Sequence, residues 1–184
     1  MKVIAAINMT LDGICDHTAV NPDEEIHQHY SELLQSGSAI LYGRITYQLM
    51  EFWPPLVKEP SGNKAMDDFA VTMDNIPKIV FSRTLSDADI TWETARLAKR
   101  SIEEEVATLK QGSGKDILVG SRSLIIALLN LGLIDEFQLC VHPIIAGKGL
   151  PLFEKINDRI ELQLLKTKTF SCGAEIFYYK PRKK

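Results

Sequence analysis

The sequence predicts an α/β protein: a three-layer α/β/α sandwich whose central sheet is mostly parallel and ends in an antiparallel hairpin. Three observations carry this. Short β-branched apolar runs such as "KVIAAINM", "SAILY" and "KIVFS" alternate with amphipathic stretches of helical period. The runs are apolar at nearly every position, as strands buried on both faces are. The final stretches, "IELQLLKTKTF" and "GAEIFYYK", instead alternate across a turn at Ser171 to Gly173, the mark of an antiparallel hairpin.

The elements follow in order. "KVIAAINM" reads as a central strand. Residues 22–36 read as a helix: Pro22 suits a first turn, Asp23, Glu24 and Glu25 complement the dipole, and Ile26, Tyr30, Leu33 and Leu34 share a face. Gly37 ends it, "SAILY" is the second strand, and a helix opening at Gly43 is closed by Pro54 and Pro55. A looser region follows to Asn63, then a short helix through "KAMDDFAVTM", the strand "KIVFS" after Pro77, and "ITW" as an edge strand. "SIEEEVATLKQ" is an amphipathic helix stopped by Gly112-Ser113-Gly114; "DILVG", "SRSLIIALLNLG" and "IDEFQLCVHPII" read as strand, helix and strand. No repeat or low-complexity linker interrupts the chain, so one domain over residues 1–184 is expected.

Composition narrows the function. The chain has 184 residues and a net charge of −3, so no global field draws it to nucleic acid or an anionic membrane; the terminal "KPRKK" reads as a solvated tail. Three widely spaced cysteines, Cys15, Cys140 and Cys172, suit neither a disulfide framework nor a zinc pair. Asn8 interrupts the N-terminal apolar run and no cleavage site follows, so it fails as a signal peptide, and no apolar segment is long enough to span a bilayer. A reducing, cytoplasmic setting is the expectation.

Three strand ends carry the chemistry. "AILY" runs into Gly43-Arg44-Ile45-Thr46, "KIVF" into Ser82-Arg83-Thr84, and "DILV" into Gly120-Ser121-Arg122-Ser123. Ligands of open α/β sheets bind beyond the carboxyl ends of the strands, and two of these turns begin helices with free N–H groups beside a small residue. Each turn alone also reads as a plain strand-to-helix connection, and each arginine as a surface charge. Their coincidence on one sheet edge favours a pyrophosphate site with a further phosphate nearby. The standard motifs are absent: no G-x-G-x-x-G, no Walker loop, no G-x-S-x-G and no zinc deaminase signature. His27 and His29, two apart on a helix, face different directions and make no metal pair, so no metal is expected.

Taken in order, "VIAAINMTLDGIC", "LYGRITYQ", "FSRTL" and "LVGSRSLIIALLNLGLIDEFQLCVHPIIAGKGLPLF" resemble the dihydrofolate reductase-like superfamily, and within it the reductase domain of riboflavin biosynthesis, the RibD C-terminal domain family. The resemblance implies NADPH as hydride donor and a small-molecule substrate, and is compatible with a homodimer. It implies that Ala5, Ala6, Leu11 and Gly13 lie against the nicotinamide, and that Gly43, Arg44 and Thr46 hold the pyrophosphate region. Ser82 and Arg83 would reach the adenosine phosphate, while Gly120, Ser121, Arg122, Ser123 and Leu124 cradle the diphosphate from the other side. Two departures stand out: Asn8-Met9-Thr10 where a serine-rich turn is frequent, and Gly120-Ser121 where Gly-Gly is common.

Hydride transfer needs no protein nucleophile, which agrees with the lack of a triad or metal set. For the proton, Asp12, Asp23, Glu24 and Glu25 are candidates near the first strand end and first helix, with water or Asp12 ahead of the others. The likeness ranks a phosphorylated aminopyrimidine first as substrate, another carbonyl or imine next and folate third. Lys64, Lys148 and Arg159 are the basic residues available for a sugar phosphate. The rival readings are a cofactor-binding module without turnover, and an interaction protein using Phe52, Trp53 and the loop after Pro55 as a contact patch.

Overall fold

The apolar N-terminal run forms β1 (Val3–Thr10) at the middle of the sheet, where both of its faces are covered. The chain continues through α1 (Glu24–Ser36), β2 (Gly37–Gly43), α2 (Arg44–Met50), α3 (Trp53–Lys58), α4 (Lys64–Asn75), β3 (Lys78–Phe81) and β4 (Ala95–Leu97). It then forms α5 (Ile102–Lys110), β5 (Asp116–Val119), α6 (Arg122–Asn130), β6 (Glu136–His142), β7 (Leu162–Thr169) and β8 (Glu175–Pro181). This computed structural model describes residues 1–112 and 114–182; Ser113 of the expected helix stop, and Lys183 and Lys184 of the basic tail, lie outside the described residues.

The strands make one eight-stranded sheet in the order β4-β3-β2-β5-β1-β6-β8-β7. Every pairing from β4 to β6 is parallel, and β8 and β7 add antiparallel at one edge, as the alternating tail requires. Val106, Ile125 and Leu128 of α5 and α6 pack on one face against Val3, Ala5 and Leu139. On the other, Leu34, Trp53, Phe69 and Met73 pack against Ile40, Tyr42 and Leu118. Each such aliphatic or aromatic side chain contributes about 1.5–3 kcal/mol when fully buried. Among the described residues no helix is long and apolar enough to cross a membrane.

Three boundaries differ from the sequence expectation. Pro22 lies ahead of α1: Asp23 is its N-cap, its carboxylate accepting the Ile26 N–H at 2.9 Å. Pro54 and Pro55 open α3 rather than close α2, because a first helical turn does not need the N–H that proline lacks. The edge strand is β4, not Ile90 to Trp92; the Trp92 indole turns inward, donates to Asp74 Oδ1 at 2.6 Å and lies under Lys78 Nζ. Gly37 joins α1 to β2 with no intervening loop, and a Cβ there would sit 2.7 Å from Leu118 Cδ1, so any larger residue would require the Leu118 side chain to shift.

Candidate functional site

The parallel strands do not end level. β5 stops at Val119, opposite Ala5, whereas β1 runs on from Ala6 to Thr10 paired with β6 alone. In a parallel ladder alternate residues turn their main chain to alternate sides. Lys2 O accepts from Ile117 N on the β5 side, so Ala6 and Asn8 turn theirs the same way, beyond the end of β5. Ala6, Ile7 and Asn8 are half-buried although they lie mid-sheet, and beyond the end of β5 no strand stands between β1 and β2; this opening is the candidate crevice.

The Gly43 and Gly120-Ser121 turns meet at this crevice. Gly43 N–H donates to Ser121 Oγ at 3.1 Å and the Thr46 hydroxyl donates to the same oxygen at 3.1 Å, so Ser121 keeps its own O–H to offer elsewhere. A Cβ on Gly43 would sit 2.9 Å from Ser123 Oγ and 3.0 Å from Ser121 Oγ. The helix starts here differ from the others. α1, α4 and α5 are capped by the side chains of Asp23, Asn63 and Ser101, and prolines thin the donors of α3. α2 and α6, which follow β2 and β5, have no side-chain cap, which leaves the first-turn N–H groups of Arg44 to Thr46 and Arg122 to Leu124 for an outside acceptor.

Arg44 and Ser82 follow directly on the paired residues Gly43 and Phe81, so these turns are neighbours on the same edge. Arg44 is exposed and makes only a long contact to Gln48, 3.4 Å; Arg83 is exposed and unpaired among the described residues; Ser82 Oγ accepts the Thr84 and Leu85 N–H groups. Arg122 is engaged otherwise. Its Nε donates to Pro151 O and its guanidinium pairs with Glu154, both at 2.8 Å, which ties α6 to the loop after β6. Leu124 and Ala5 put their side chains into the core, so only their main chains can face a ligand, while Ser123 is exposed. Leu11 is 65% exposed, and Gly13 O accepts from Leu152 N.

Asp12, the first of the acid candidates, is engaged in the loop structure. Its carboxylate accepts the Thr10 hydroxyl and the N–H groups of Ala146 (3.1 Å) and Gly147 (2.7 Å). These donors, the Thr10 hydroxyl foremost, hold its pKa down at about 2. It latches the loop after β1 to the loop after β6. The other acids are also engaged: Asp23 caps α1, Glu24 accepts from Asn63 at 3.0 Å, and Glu25 accepts from the Ser171 N–H and hydroxyl.

Two residues beyond the expected set come together beside the crevice: His142 Nε2 lies 3.0 Å from Asn8 Oδ1 and 3.7 Å from Cys140 Sγ. His142 is 4% exposed; burial lowers its pKa and the nearby Asp23 carboxylate opposes that shift. No local motif announces the contact, which depends on Thr10 pairing with His142 across β1 and β6. The residues proposed for a sugar phosphate are not gathered. Lys64 pairs with Asp68, Lys148 is exposed, and Arg159 pairs with Glu161 at a cavity of about 560 Å³ beside the start of β7 and end of β8. Of the two aromatic contact-patch candidates, Phe52 is exposed, whereas Trp53 is buried edge-on against Phe69.

A mostly parallel sheet with an antiparallel C-terminal edge, in this strand order, is a dihydrofolate reductase-like fold. Its architecture superposes on dihydrofolate reductase from Enterococcus faecalis with a TM-score of 0.64 at 14% identity, covering 99% of this chain and 97% of that one. A putative riboflavin biosynthesis protein from Shewanella sp. PV-4 gives a TM-score of 0.75 at 19% identity, with all of both chains covered. The RibD C-terminal domain model matches residues 1–176, and the chain belongs to that family. It is also 35% identical to the uncharacterized protein YyaP of Bacillus subtilis, over 97% of this chain and 94% of that protein.

Proposed function

We propose that the protein is an NADPH-dependent reductase of a small planar heterocycle, most like a 5-amino-6-(5-phosphoribosylamino)uracil reductase. The observation that carries this reading is the pair of uncapped helix starts, at Gly43 and Ser121, converging where β1 outruns β5. Main-chain N–H groups, the free Ser121 O–H and a cradle that a Cβ at Gly43 would fill suit a diphosphate. Arg44 and Arg83, one strand apart on the rim, suit a further phosphate on the adenosine ribose. The main chain of Ala6 and Asn8 would receive the nicotinamide carboxamide. The bound dinucleotide would supply a hydride, and the fold would place the acceptor against it.

With Asp12, Asp23 and Glu25 committed to structural hydrogen bonds, the proton is assigned to water. The same commitment places folate behind a pyrimidine, since no free carboxylate on α1 faces inward to hold a pteridine. Thermal shift with NADPH, NADH, flavin and folate side by side tests the cofactor, and loss of nicotinamide absorbance with the aminopyrimidine or dihydrofolate tests the substrate. Stabilisation by NADPH and turnover of the pyrimidine are expected. No stabilisation by NADPH overturns the reading, and brisk turnover of dihydrofolate alone reverses the substrate ranking.

A further inference from the structure

The contact between Asn8 and His142 has a directional consequence. Asn8 Oδ1 can only accept, so the amide orientation that sets this oxygen 3.0 Å from His142 Nε2 assigns the ring hydrogen to Nε2. Both the neutral Nε2–H tautomer and the imidazolium satisfy this, so the contact persists whichever charge His142 holds. The imidazole is itself held in a buried slot, 4% exposed, with the Cys140 sulfur 3.7 Å from the same nitrogen. An amide whose oxygen is fixed has its nitrogen fixed too. Asn8 Nδ2 makes no hydrogen bond to the described residues, and Asn8 is half-buried in the middle of the sheet, at the point where β1 has left β5 behind.

We propose that Asn8 orients the substrate's reducible group by donating from Nδ2 to a carbonyl oxygen or imine nitrogen, and that His142 is the positioning residue that decides which end of the amide faces the crevice. This rests on the reductase reading. The site then selects ligands with an acceptor beside the carbon that takes the hydride, the hydride coming from the reduced dinucleotide and the proton from water. A ligand offering an N–H at that position meets a second donor and is rejected. The departure Asn8-Met9-Thr10 thereby acquires a role that a serine, with its freely rotating hydroxyl, does not reproduce.

Long-range proton–nitrogen NMR of the histidine rings tests the lock without turnover: a protonated Nε2 in His142 is expected, and a neutral ring with hydrogen on Nδ1 overturns it. The Asn8 side-chain amide signals should shift when NADP⁺ and 5-amino-6-(5-phosphoribosylamino)uracil are added together, and by much less with NADP⁺ alone; unmoved signals in the ternary mixture overturn the substrate contact. Asn8→Asp, which removes the donor, should lower kcat by about 10²-fold, the size of effect seen when one transition-state donor is lost. Its affinity for NADPH, read from tryptophan fluorescence, should change by less than about threefold. His142→Gln keeps an N–H near the Nε2 position and should retain most of kcat, whereas His142→Leu should lose about tenfold at unchanged NADPH affinity. Equal loss in His142→Gln and His142→Leu overturns the positioning role. Failure of the wild type to bind NADPH overturns the reductase reading instead, and leaves the His142 tautomer result standing.

Discussion

Gly43 and Ser121 are joined at 3.1 Å, main-chain N–H to hydroxyl, across the ends of β2 and β5, and this contact closes the gap between the two helix starts. A methyl group on residue 43 would have to displace the hydroxyls of Ser121 and Ser123, which belong to the first turn of α6 or its cap. Gly43→Ala should therefore lower stability by about 1–3 kcal/mol through overpacking. It should also weaken NADPH binding by tenfold or more. Gly120 is the control: a Cβ there would lie 3.5 Å from Tyr42 and 3.6 Å from Ile40, ordinary contacts. Gly120→Ala should unfold within about 1 kcal/mol of the wild type. Urea titration and dinucleotide binding on both variants check the contrast.

Asp12 yields a pH prediction. Its folded pKa, about 2, lies below the ordinary aspartate value of about 3.9, so the folded state binds its proton more weakly than the unfolded chain does. The stability it contributes is complete above about pH 4 and is lost as pH falls from there through about 2. Asp12→Asn should flatten the loss of stability in that window and lower the urea midpoint at neutral pH. Turnover should keep the wild-type pH dependence, because the carboxylate serves as a latch. A displaced limb in the pH profile of kcat would return Asp12 to the chemistry.

Much of the fold was legible because the central strands are apolar at nearly every position, the last two alternate, and the helices carry ordinary start signals, such as Ser101 and Glu104 around α5. What could not be read depends on distant partners. The pair Pro54-Pro55 fits a helix stop and a helix start equally well, and the packing of Trp53 on Phe69 decides for a start. Lys78 looks like a surface charge opening a strand until Trp92 folds over it. For the candidate site, the strand-end glycines pointed to the edge where β2 and β5 end, which the contact of Gly43 with Ser121 joins. The commitment of Arg122 to Pro151 and Glu154 and the meeting of Asn8 with His142 are set by contacts across 29 and 134 residues, which no local pattern encodes.

Lys78 gives the third prediction. It is 1% exposed, its ammonium donating to the carbonyls of Ile76 (2.8 Å) and Asp74 (3.2 Å) and to the Thr94 hydroxyl (2.7 Å), 3.8 Å from the centre of the Trp92 ring. Burial pushes its pKa down to about 8, although the Asp74 carboxylate works the other way. Between about pH 8 and the ordinary lysine value of about 10.4 the unfolded chain binds more protons, so this residue makes stability rise with pH across that window. Lys78→Met should remove that rise. At pH 7 it should cost about 1–3 kcal/mol, because buried acceptors lose their donor. Denaturation across this range, with wild type and variant in parallel, checks both.

The last prediction concerns cofactor choice, and it follows from which arginines are free. Arg122 is bound to Pro151 O and Glu154, so it is unavailable to a phosphate without releasing the loop after β6. Arg44 and Arg83 are exposed on neighbouring turns, one with a single long contact and the other unpaired among the described residues. A ribose phosphate between them would accept charge-assisted hydrogen bonds of about 1.5–3 kcal/mol each. Such a bond corresponds to roughly 10- to 100-fold in affinity. NADPH should bind more tightly than NADH by at least that factor, Arg83→Ala should narrow the ratio while leaving NADH affinity nearly unchanged, and Arg44→Ala combined with it should remove most of the preference. Arg122→Ala should instead reduce binding of both dinucleotides alike, because it frees the loop rather than a phosphate contact. Titration of the wild type and the three variants with each cofactor decides the matter, and equal affinity of the wild type for NADPH and NADH would overturn the assignment of Arg44 and Arg83.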